Sequence, residues 1–83
     1  MTVHVRLSGE LAQKVGLARL SVALSEGSTV ADLREQLRAQ HPGAAPQLVL
    51  AVPVIAGQHV DWTVPLSSEQ EVAFLLPIAG GSR

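Results

Sequence analysis

The chain has 83 residues, of which 47% are hydrophobic, but it contains one Trp, one Phe and no Tyr, so a single small domain with an aliphatic core is expected. It has no cysteine, which excludes a disulfide framework, a thiolate zinc site and a cysteine nucleophile. The formal net charge is −1, there is no basic run, and no apolar run approaches the ~20 residues that cross a bilayer, so we expect a cytoplasmic protein with neither a nucleic-acid nor a membrane partner.

Two alternating segments near the start of the chain predict a pair of strands. Every second residue is apolar in Thr2–Leu7 and again in Arg19–Ser25, a pattern typical of half-buried strands. Between them, Glu10–Val15 predicts a short helical turn that Gly16 ends. We expect the two strands to pair as a hairpin with a long connection.

A longer helix is predicted to begin at Thr29. Thr29 and Asp32 have the spacing of a capping box, with Asp in place of the usual Glu or Gln. An apolar stripe at helical spacing follows, formed by Val30, Leu33 and Leu37. Pro42-Gly43 then ends the helix.

The second half of the chain predicts three more strands. The almost wholly apolar run Leu48–Ala56 is typical of a strand covered on both faces, although Pro53 cannot donate a ladder hydrogen bond and belongs at an edge, a bulge or the strand's end. We expect a turn at Gly57-Gln58, a short irregular strand over Val60–Leu66 and a last strand over Glu71–Leu76.

The predicted order β-β-α-β-β-β defines the fold class. One apolar helix stripe is most simply buried against one face of a mixed sheet of four to five strands. We therefore expect an α+β domain with the β-grasp, or ubiquitin-like, arrangement over residues 1–77. A flexible C-terminal tail is expected over residues 78–83.

No constellation in the chain predicts catalysis or a bound cofactor. The three histidines are far apart in sequence and lack a metal-ligand pattern; they are His4, His41 and His59. The serines have no nucleophile elbow or neighbouring base, and the carboxylates are not joined by a motif. We expect surface histidines and solvated carboxylates, and the serines argue against a hydrolase.

Phe74 and the chain end each allow two interpretations. Phe74 is either a core residue or, if it points outward, a partner contact beside the tail. The residues Pro77, Ile78 and Ala79 followed by the pair Gly80-Gly81 form a thin backbone that suits a narrow channel, because glycine has no Cβ. The alternative is an ordinary frayed terminus.

The segment Val72–Gly81 (VAFLLPIAGG) resembles the V-A-F-x-P-P-V-A/T-G-G ending of the MoaD/ThiS sulfur carriers, most closely the small subunit of molybdopterin synthase. Gly27–Leu33 (GSTVADL) is similar to the helix entry of that family, E-G-x-T-V-x-x-L. Pro65-Leu66 and Glu71-Val72 stand where the family approaches its last strand. The resemblance covers essentially the whole chain, and the terminal motif is its specific part.

The resemblance implies a carrier without catalytic residues of its own. In this family an E1-like enzyme uses ATP to convert the C-terminal glycine to an acyl-adenylate, which becomes a thiocarboxylate that donates sulfur. Here that glycine is Gly81. The residues Pro77, Ile78, Ala79 and Gly80 would enter the active sites of the partners with it. A carboxylate is ionised at neutral pH and is a poor electrophile, which is why its oxygen must first become a leaving group.

Three departures from the family pattern concern the tail and two loops. Pro53 replaces the usual asparagine, Ser68–Gln70 replaces a D-G-D turn, and Ser82-Arg83 follows the glycines. Because Ser82 locks the Gly81 carboxyl in a peptide bond, the chain as written cannot be adenylated at Gly81. We favour removal of Ser82 and Arg83 by a trimming protease. The alternatives are a chain that has left the carrier role and a true terminus at Arg83.

The expected partners follow from the same resemblance. They are an E1-like adenylating enzyme, a trimming protease and a sulfur-accepting synthase, for which the large subunit of molybdopterin synthase is the leading candidate, docking on the sheet near Phe74. Carriers of this shape also serve thiamin, cysteine and tRNA thiolation. The rival functions are ubiquitin-like protein tagging through Gly81 and a non-conjugating interaction module.

Overall fold

The computed structural model describes residues 1–77. Within them the elements, in chain order, are β1 (Thr2–Leu7), α1 (Gly9–Val15), β2 (Arg19–Ala23), α2 (Val30–Gln40), a 3₁₀ turn (Pro42–Ala44), α3 (Ala45–Leu50), β3 (Val52–Ile55), β4 (Gln58–His59) and β5 (Glu71–Leu75). The predicted tail, residues 78–83, lies outside the described part of the chain.

The strands form one mixed sheet in the order β2-β1-β5-β3-β4. The central pair, β1 and β5, is parallel, and the other pairs are antiparallel. The predicted hairpin of the first two strands is present, with Thr2 opposite Ala23 and Arg6 opposite Arg19. These findings confirm the α+β class and the β-grasp arrangement that the sequence predicts.

The alternation in the strands decides which face of the sheet the helices cover. The inward side chains of the strands meet the apolar stripe of α2, together with one leucine from α1 and one from α3. The large side chains with the least exposure are Val3, Val5, Leu11, Val22, Val30, Leu33, Leu37, Leu48, Val72 and Phe74. The core is therefore aliphatic except for Phe74, as the composition predicts.

The capping box at the start of α2 is confirmed. The Asp32 N–H donates to Thr29 Oγ1 at 3.3 Å, and the Thr29 N–H donates to Asp32 Oδ2 at 2.8 Å. Two of the N–H groups that have no partner within the helix are satisfied in this way. The helix ends at Gln40, before Pro42, as expected.

The predicted strand Leu48–Ala56 is wrong in its first part, because residues 48–50 belong to the helix α3 and the strand β3 starts only at Val52. Pro46 lies in the first turn of α3, where its fixed φ suits a helix and its missing N–H costs nothing. A short apolar run does not distinguish a buried strand from a helix by periodicity. In this protein residues 48–50 of the run are helical, and residues 52–55 form the strand.

The predicted strand Val60–Leu66 is also wrong. Its only ladder contact among the described residues is an isolated bridge between Pro65 and Thr29. Its carbonyl groups instead accept hydrogen bonds from the first turn of α2: the Val30 N–H donates to Val64 at 3.0 Å and the Ala31 N–H donates to Trp62 at 2.9 Å. The segment is thus a loop that caps α2.

The turn before this loop is one residue earlier than predicted. Ile55 pairs with Gln58 across a two-residue turn of Ala56 and Gly57, with φ values of 52° and 79°. Two residues with positive φ match the twist of a tight hairpin. Gln58 therefore belongs to β4 and not to the turn.

Pro53 lies inside β3 without breaking the sheet. It is opposite Phe74 of β5, and its carbonyl accepts from the Val60 N–H at 3.2 Å. In an extended strand the N and O atoms of one residue point to the same side. The missing N–H of Pro53 thus faces Val60, just past the end of β4, so the pairing of β3 with β5 is not interrupted.

Candidate functional site

The tail leaves the domain from its central strand. β5 lies between β1 and β3, with Phe74 opposite Leu7 on one side and Leu75 opposite Val52 on the other. Pro77 follows two residues later and is exposed. Because two neighbouring strands hold β5, the position from which the tail starts is fixed by the core of the protein.

Phe74 belongs to the core. It is 0% exposed, and its ring stacks on Trp62 with a centroid distance of 6.1 Å and an interplanar angle of 17°. The guanidinium carbon of Arg34 lies 4.2 Å from the centroid of the Trp62 ring on α2's side of the stack. Of the two predicted roles for Phe74, the structure shows the packing role. Because the ring points inward, it does not present the alternative, an outward-pointing contact for a partner.

The exposed aliphatic residue beside the tail is Leu75. It is 41% exposed and points away from the helices. On the same outer face it is joined by Ala73 and by two residues of β3, Val52 and Val54, which stand opposite Leu75 and Ala73. We call these four residues the outer patch. These four residues were not predicted as a site, although Glu71 must point outward and therefore shows which side chains of β5 share the outer face.

A second apolar surface lies on the other side of the tail's starting point. A groove of about 430 Å³ is lined by Glu10, Pro46, Gln47, Leu50, Leu76 and Pro77. Leu50 is 66% exposed. The Gln47 amide donates to Glu10 Oε2 at 3.2 Å, which joins α3 to the start of α1. We call this surface the exit groove. Sequence analysis missed it because the run containing Leu50 was predicted as a strand.

The polar part of the outer face holds a hydrogen-bonded row. His4 Nε2 lies 2.6 Å from Glu69 Oε1, and His4 Nδ1 lies 3.1 Å from Ser21 Oγ. This serine, histidine and carboxylate come from three elements, so sequence spacing could not bring them together. All three groups are solvated on an open sheet surface. The arrangement therefore favours a tie between β1, β2 and the turn before β5 over nucleophilic catalysis.

The remaining predicted site residues divide between the surface and the undescribed end. Pro77 lies at the lip of the exit groove. Ile78, Ala79, Gly80 and Gly81 lie outside the described residues, as do Ser82 and Arg83, so the attachment site and the removal of the last two residues stay predictions.

Two further observations concern metal ligands and membrane-spanning helices. His4, His41 and His59 lie on three different elements, and residues 1–77 contain no cluster of three or more His, Asp or Glu side chains that could hold a metal. Over the same range, the helices are too short and too polar for any of them to traverse a bilayer.

The site as a whole leaves the start of the tail accessible. The sheet holds Pro77 between two surfaces with apolar side chains, the outer patch and the exit groove. Among the residues that line the exit groove, Glu10 is the one with a titratable side chain.

Comparison with known structures agrees with this geometry. SAMP1 from Haloferax volcanii, a small archaeal modifier protein, superimposes with a TM-score of 0.84 at 19% identity, covering 98% of this chain and 100% of that one. A Pyrococcus furiosus protein described as molybdopterin converting factor, subunit 1, gives a TM-score of 0.85 at 21% identity, with 94% and 99% covered. These likenesses establish the fold.

A third similar structure is a protein-protein complex. It contains subunits 1 and 2 of the molybdopterin-converting factor from Helicobacter pylori 26695, and the matched chain has a TM-score of 0.70 at 20% identity, covering 98% of this chain and 100% of that chain. Comparison with curated protein sequences gave no match.

The family model named ThiS family matches residues 5–81. The match therefore includes almost every element of the domain, the strand β5 and the glycine pair, and it stops at Gly81. Ser82 and Arg83 lie beyond it. Together with the fold and a chain end presented from the central strand, this match shows that the chain belongs to the ThiS family of ubiquitin-like β-grasp sulfur carriers.

Proposed function

We propose that the protein carries sulfur as a thiocarboxylate on Gly81, after a protease has removed Ser82 and Arg83. The observation that carries this proposal is the family match, which runs from residue 5 through the glycine pair and ends at Gly81. The position of Pro77 supports it, because the domain presents the start of the tail at an exposed corner. The last two residues are then an extension of the carrier sequence.

The chemistry needs two steps at one carbonyl. A carboxylate oxygen of Gly81 attacks the α-phosphorus of ATP and pyrophosphate leaves, which gives the acyl-adenylate. A hydrosulfide ion, HS⁻, then attacks the carbonyl carbon and loses its proton, and AMP leaves with the former carboxylate oxygen, which gives the thiocarboxylate. The partner enzyme binds ATP and supplies the catalytic groups. The carrier contributes a chain end without Cβ atoms, which passes through a narrow channel. Because the activation consumes ATP, the cytoplasm is the expected compartment.

Molybdopterin synthesis is the pathway that we favour for the sulfur. Two of the similar structures are described as subunits of a molybdopterin-converting factor, and one of them is bound to a second subunit. In this proposal the large subunit of the synthase docks on the outer patch around Leu75 and takes the tail into its active site. The outer patch is suited to such a contact because Leu75 is exposed beside the start of the tail, and the half-buried Val52 and Val54 flank it on the same face.

The proposal is tested by truncation. A chain that ends at Gly81 should drive ATP–pyrophosphate exchange by the E1-like enzyme of the same organism, while the matched chain of 83 residues should not. Gly81→Ala in the truncated chain should still bind the enzyme but be charged poorly, since a Cβ then enters the channel. A truncated chain that binds the enzyme and yields no exchange would contradict the carrier function.

Protein modification is the second candidate, because three of the similar structures are of the small archaeal modifier protein SAMP1. In that case a lysine amine of a target attacks the activated Gly81 carbonyl and AMP leaves, forming an isopeptide. The two candidates share the activation step and differ in the acceptor. Peptide mapping of cellular proteins for a lysine that bears the Gly80-Gly81 remnant separates them.

A further inference from the structure

We propose that the exit groove is a docking site for the adenylating enzyme, distinct from the outer patch, and that it receives an apolar side chain of that enzyme next to a cation. The inference rests on the proposed function. It adds a second contact surface on the helical side of the domain, centred on Leu50.

The reach of the tail limits where the enzyme can stand. Gly81 is the fourth residue after Pro77, and four fully extended residue steps span at most about 14 Å. The reacting atoms of the enzyme therefore come within this distance of Pro77, and the walls of the channel around residues 78–80 come closer still. Whatever activates Gly81 must abut the corner from which the tail leaves.

The walls of the exit groove are part of that corner. Leu76 and Pro77, the last two described residues, themselves line the groove, opposite Pro46 and Leu50 of the α3 region. A body that surrounds the tail beyond Pro77 cannot avoid this surface. The groove's volume of about 430 Å³ falls in the range of ~300–1,000 Å³ that is common for binding clefts, so it has room for an inserted side chain.

Burial points to an apolar occupant. Leu50 is the most exposed of the large hydrophobic side chains in residues 1–77, at 66%, and its neighbour Val49 is 52% exposed. Their helix packs through Leu48 and leaves these two side chains in water. Covering an exposed aliphatic side chain such as Leu50 stabilises an interface through the hydrophobic effect. An enzyme surface that was polar throughout would leave the Leu50 side chain without an apolar partner.

The rim supplies charge complementarity. Glu10 stands at the edge of the groove, where it accepts from Gln47 but forms no ion pair with any residue from 1 to 77. Its carboxylate is therefore available to a lysine or arginine beside the inserted side chain. An exposed pair of this kind adds specificity and association rate more than affinity.

The test uses the truncated chain that ends at Gly81 and measures the KM and kcat of carrier-driven ATP–pyrophosphate exchange. Leu50→Glu should raise KM by about tenfold or more with kcat changed by less than about twofold, the pattern expected when uniform binding is removed. Leu50→Ala should raise KM by a smaller factor. Glu10→Gln should raise KM mainly at low salt.

The matched control is Ala23→Glu, which adds the same charge at an exposed site. Ala23 is opposite Thr2, at the end of the sheet away from the tail. Its KM should stay within about twofold of the unsubstituted chain, since surface changes outside an interface leave binding nearly unchanged. Thermal unfolding of each variant confirms that the fold is retained, which the exposure of Leu50 leads us to expect.

The other possible results separate failure of the docking site from failure of the carrier function. Unchanged KM for both Leu50 variants, with normal charging of the unsubstituted truncated chain, overturns the docking site and leaves the carrier function standing. A lowered KM for Leu50→Glu means that the groove holds the chain's own Ile78 and contradicts an enzyme contact. If a bound, unsubstituted truncated chain gives no exchange, the carrier function fails and the docking site fails with it.

Discussion

Two adjacent residues of β5, Phe74 and Leu75, lie in opposite environments. Phe74 is fully buried against Trp62, whereas Leu75 is 41% exposed on the outer patch. The difference arises from the alternation of a strand, because successive side chains point to opposite faces. Substitution of the inward Phe74 should therefore lower stability, whereas substitution of the outward Leu75 should weaken binding to a partner.

The largest expected effect is the loss of stability in Phe74→Ala. Removal of a buried aromatic ring lowers the free energy of unfolding by about 3–5 kcal/mol, a large fraction of the stability of a small domain. Urea denaturation followed by circular dichroism measures it. Leu75→Ala on the other face is the control and should change stability far less. Equal losses for the two variants would contradict the division between the faces.

A smaller effect is expected for Thr29→Ala at the start of α2. It removes the hydroxyl that accepts from the Asp32 N–H, and such caps contribute about 0.5–2 kcal/mol. The same denaturation experiment reports it. Thr29→Ser keeps the hydroxyl and should retain most of the stability. A loss in Thr29→Ser as large as in Thr29→Ala would mean that the capping box does not stabilise the helix.

The stack of Phe74 on Trp62 extends to Arg34 on the inner side of the sheet. Because Arg34 is the outermost member, replacing it should cost less stability than replacing Phe74. Arg34→Gln removes the cation over Trp62, which costs about 0.5–1 kcal/mol at a partly exposed site. Trp62 is the only tryptophan, so its fluorescence reports on the same contact. Arg34→Lys keeps a cation, so its stability should fall between that of the unsubstituted chain and that of Arg34→Gln. A fluorescence spectrum unchanged in Arg34→Gln would place the guanidinium away from the ring in solution.

The smallest effect on stability is expected for Leu75→Ser on the outer patch. The free energy of unfolding should change by less than about 0.5 kcal/mol, because the side chain is half exposed and faces away from the helices. Binding to the synthase subunit, measured by calorimetry, should weaken by about tenfold, because the outer patch is the proposed contact. Unchanged binding to that subunit would remove the patch from the proposed interface.

The sequence predicted the elements whose patterns are local and consistent. The alternation of β1 and β2, the apolar run of β5 and the capping box of α2 each agree with the final fold. The resemblance at the glycine pair agrees with the family match over residues 5–81. These features could be predicted because each is encoded in a few neighbouring residues.

The errors lie where tertiary contacts decide. The run Leu48–Ala56 is apolar throughout, and only the packing of Leu48 against the core and the proline in the first turn make its first part a helix. Trp62 and Val64 alternate like a strand, but their carbonyls accept from α2. Neither partner is visible in the local pattern.

The two surfaces beside the tail depend on these same contacts. The exit groove requires α3 to be a helix, so it could not be predicted once the run containing Leu50 was expected to be a strand. The outer patch was within reach, because Glu71 must face water and the parity of β5 then turns Phe74 inward and Leu75 outward. Ser21 and His4 meet only through the register of β1 and β2.

The central claim, that Gly81 is the reactive end of a sulfur carrier, is tested most directly by intact-mass measurement of the protein isolated from its own cells. The account predicts a fraction of molecules that lack Ser82 and Arg83 and end at Gly81 with one oxygen replaced by sulfur. A population in which every molecule retains Ser82 and Arg83 would contradict it.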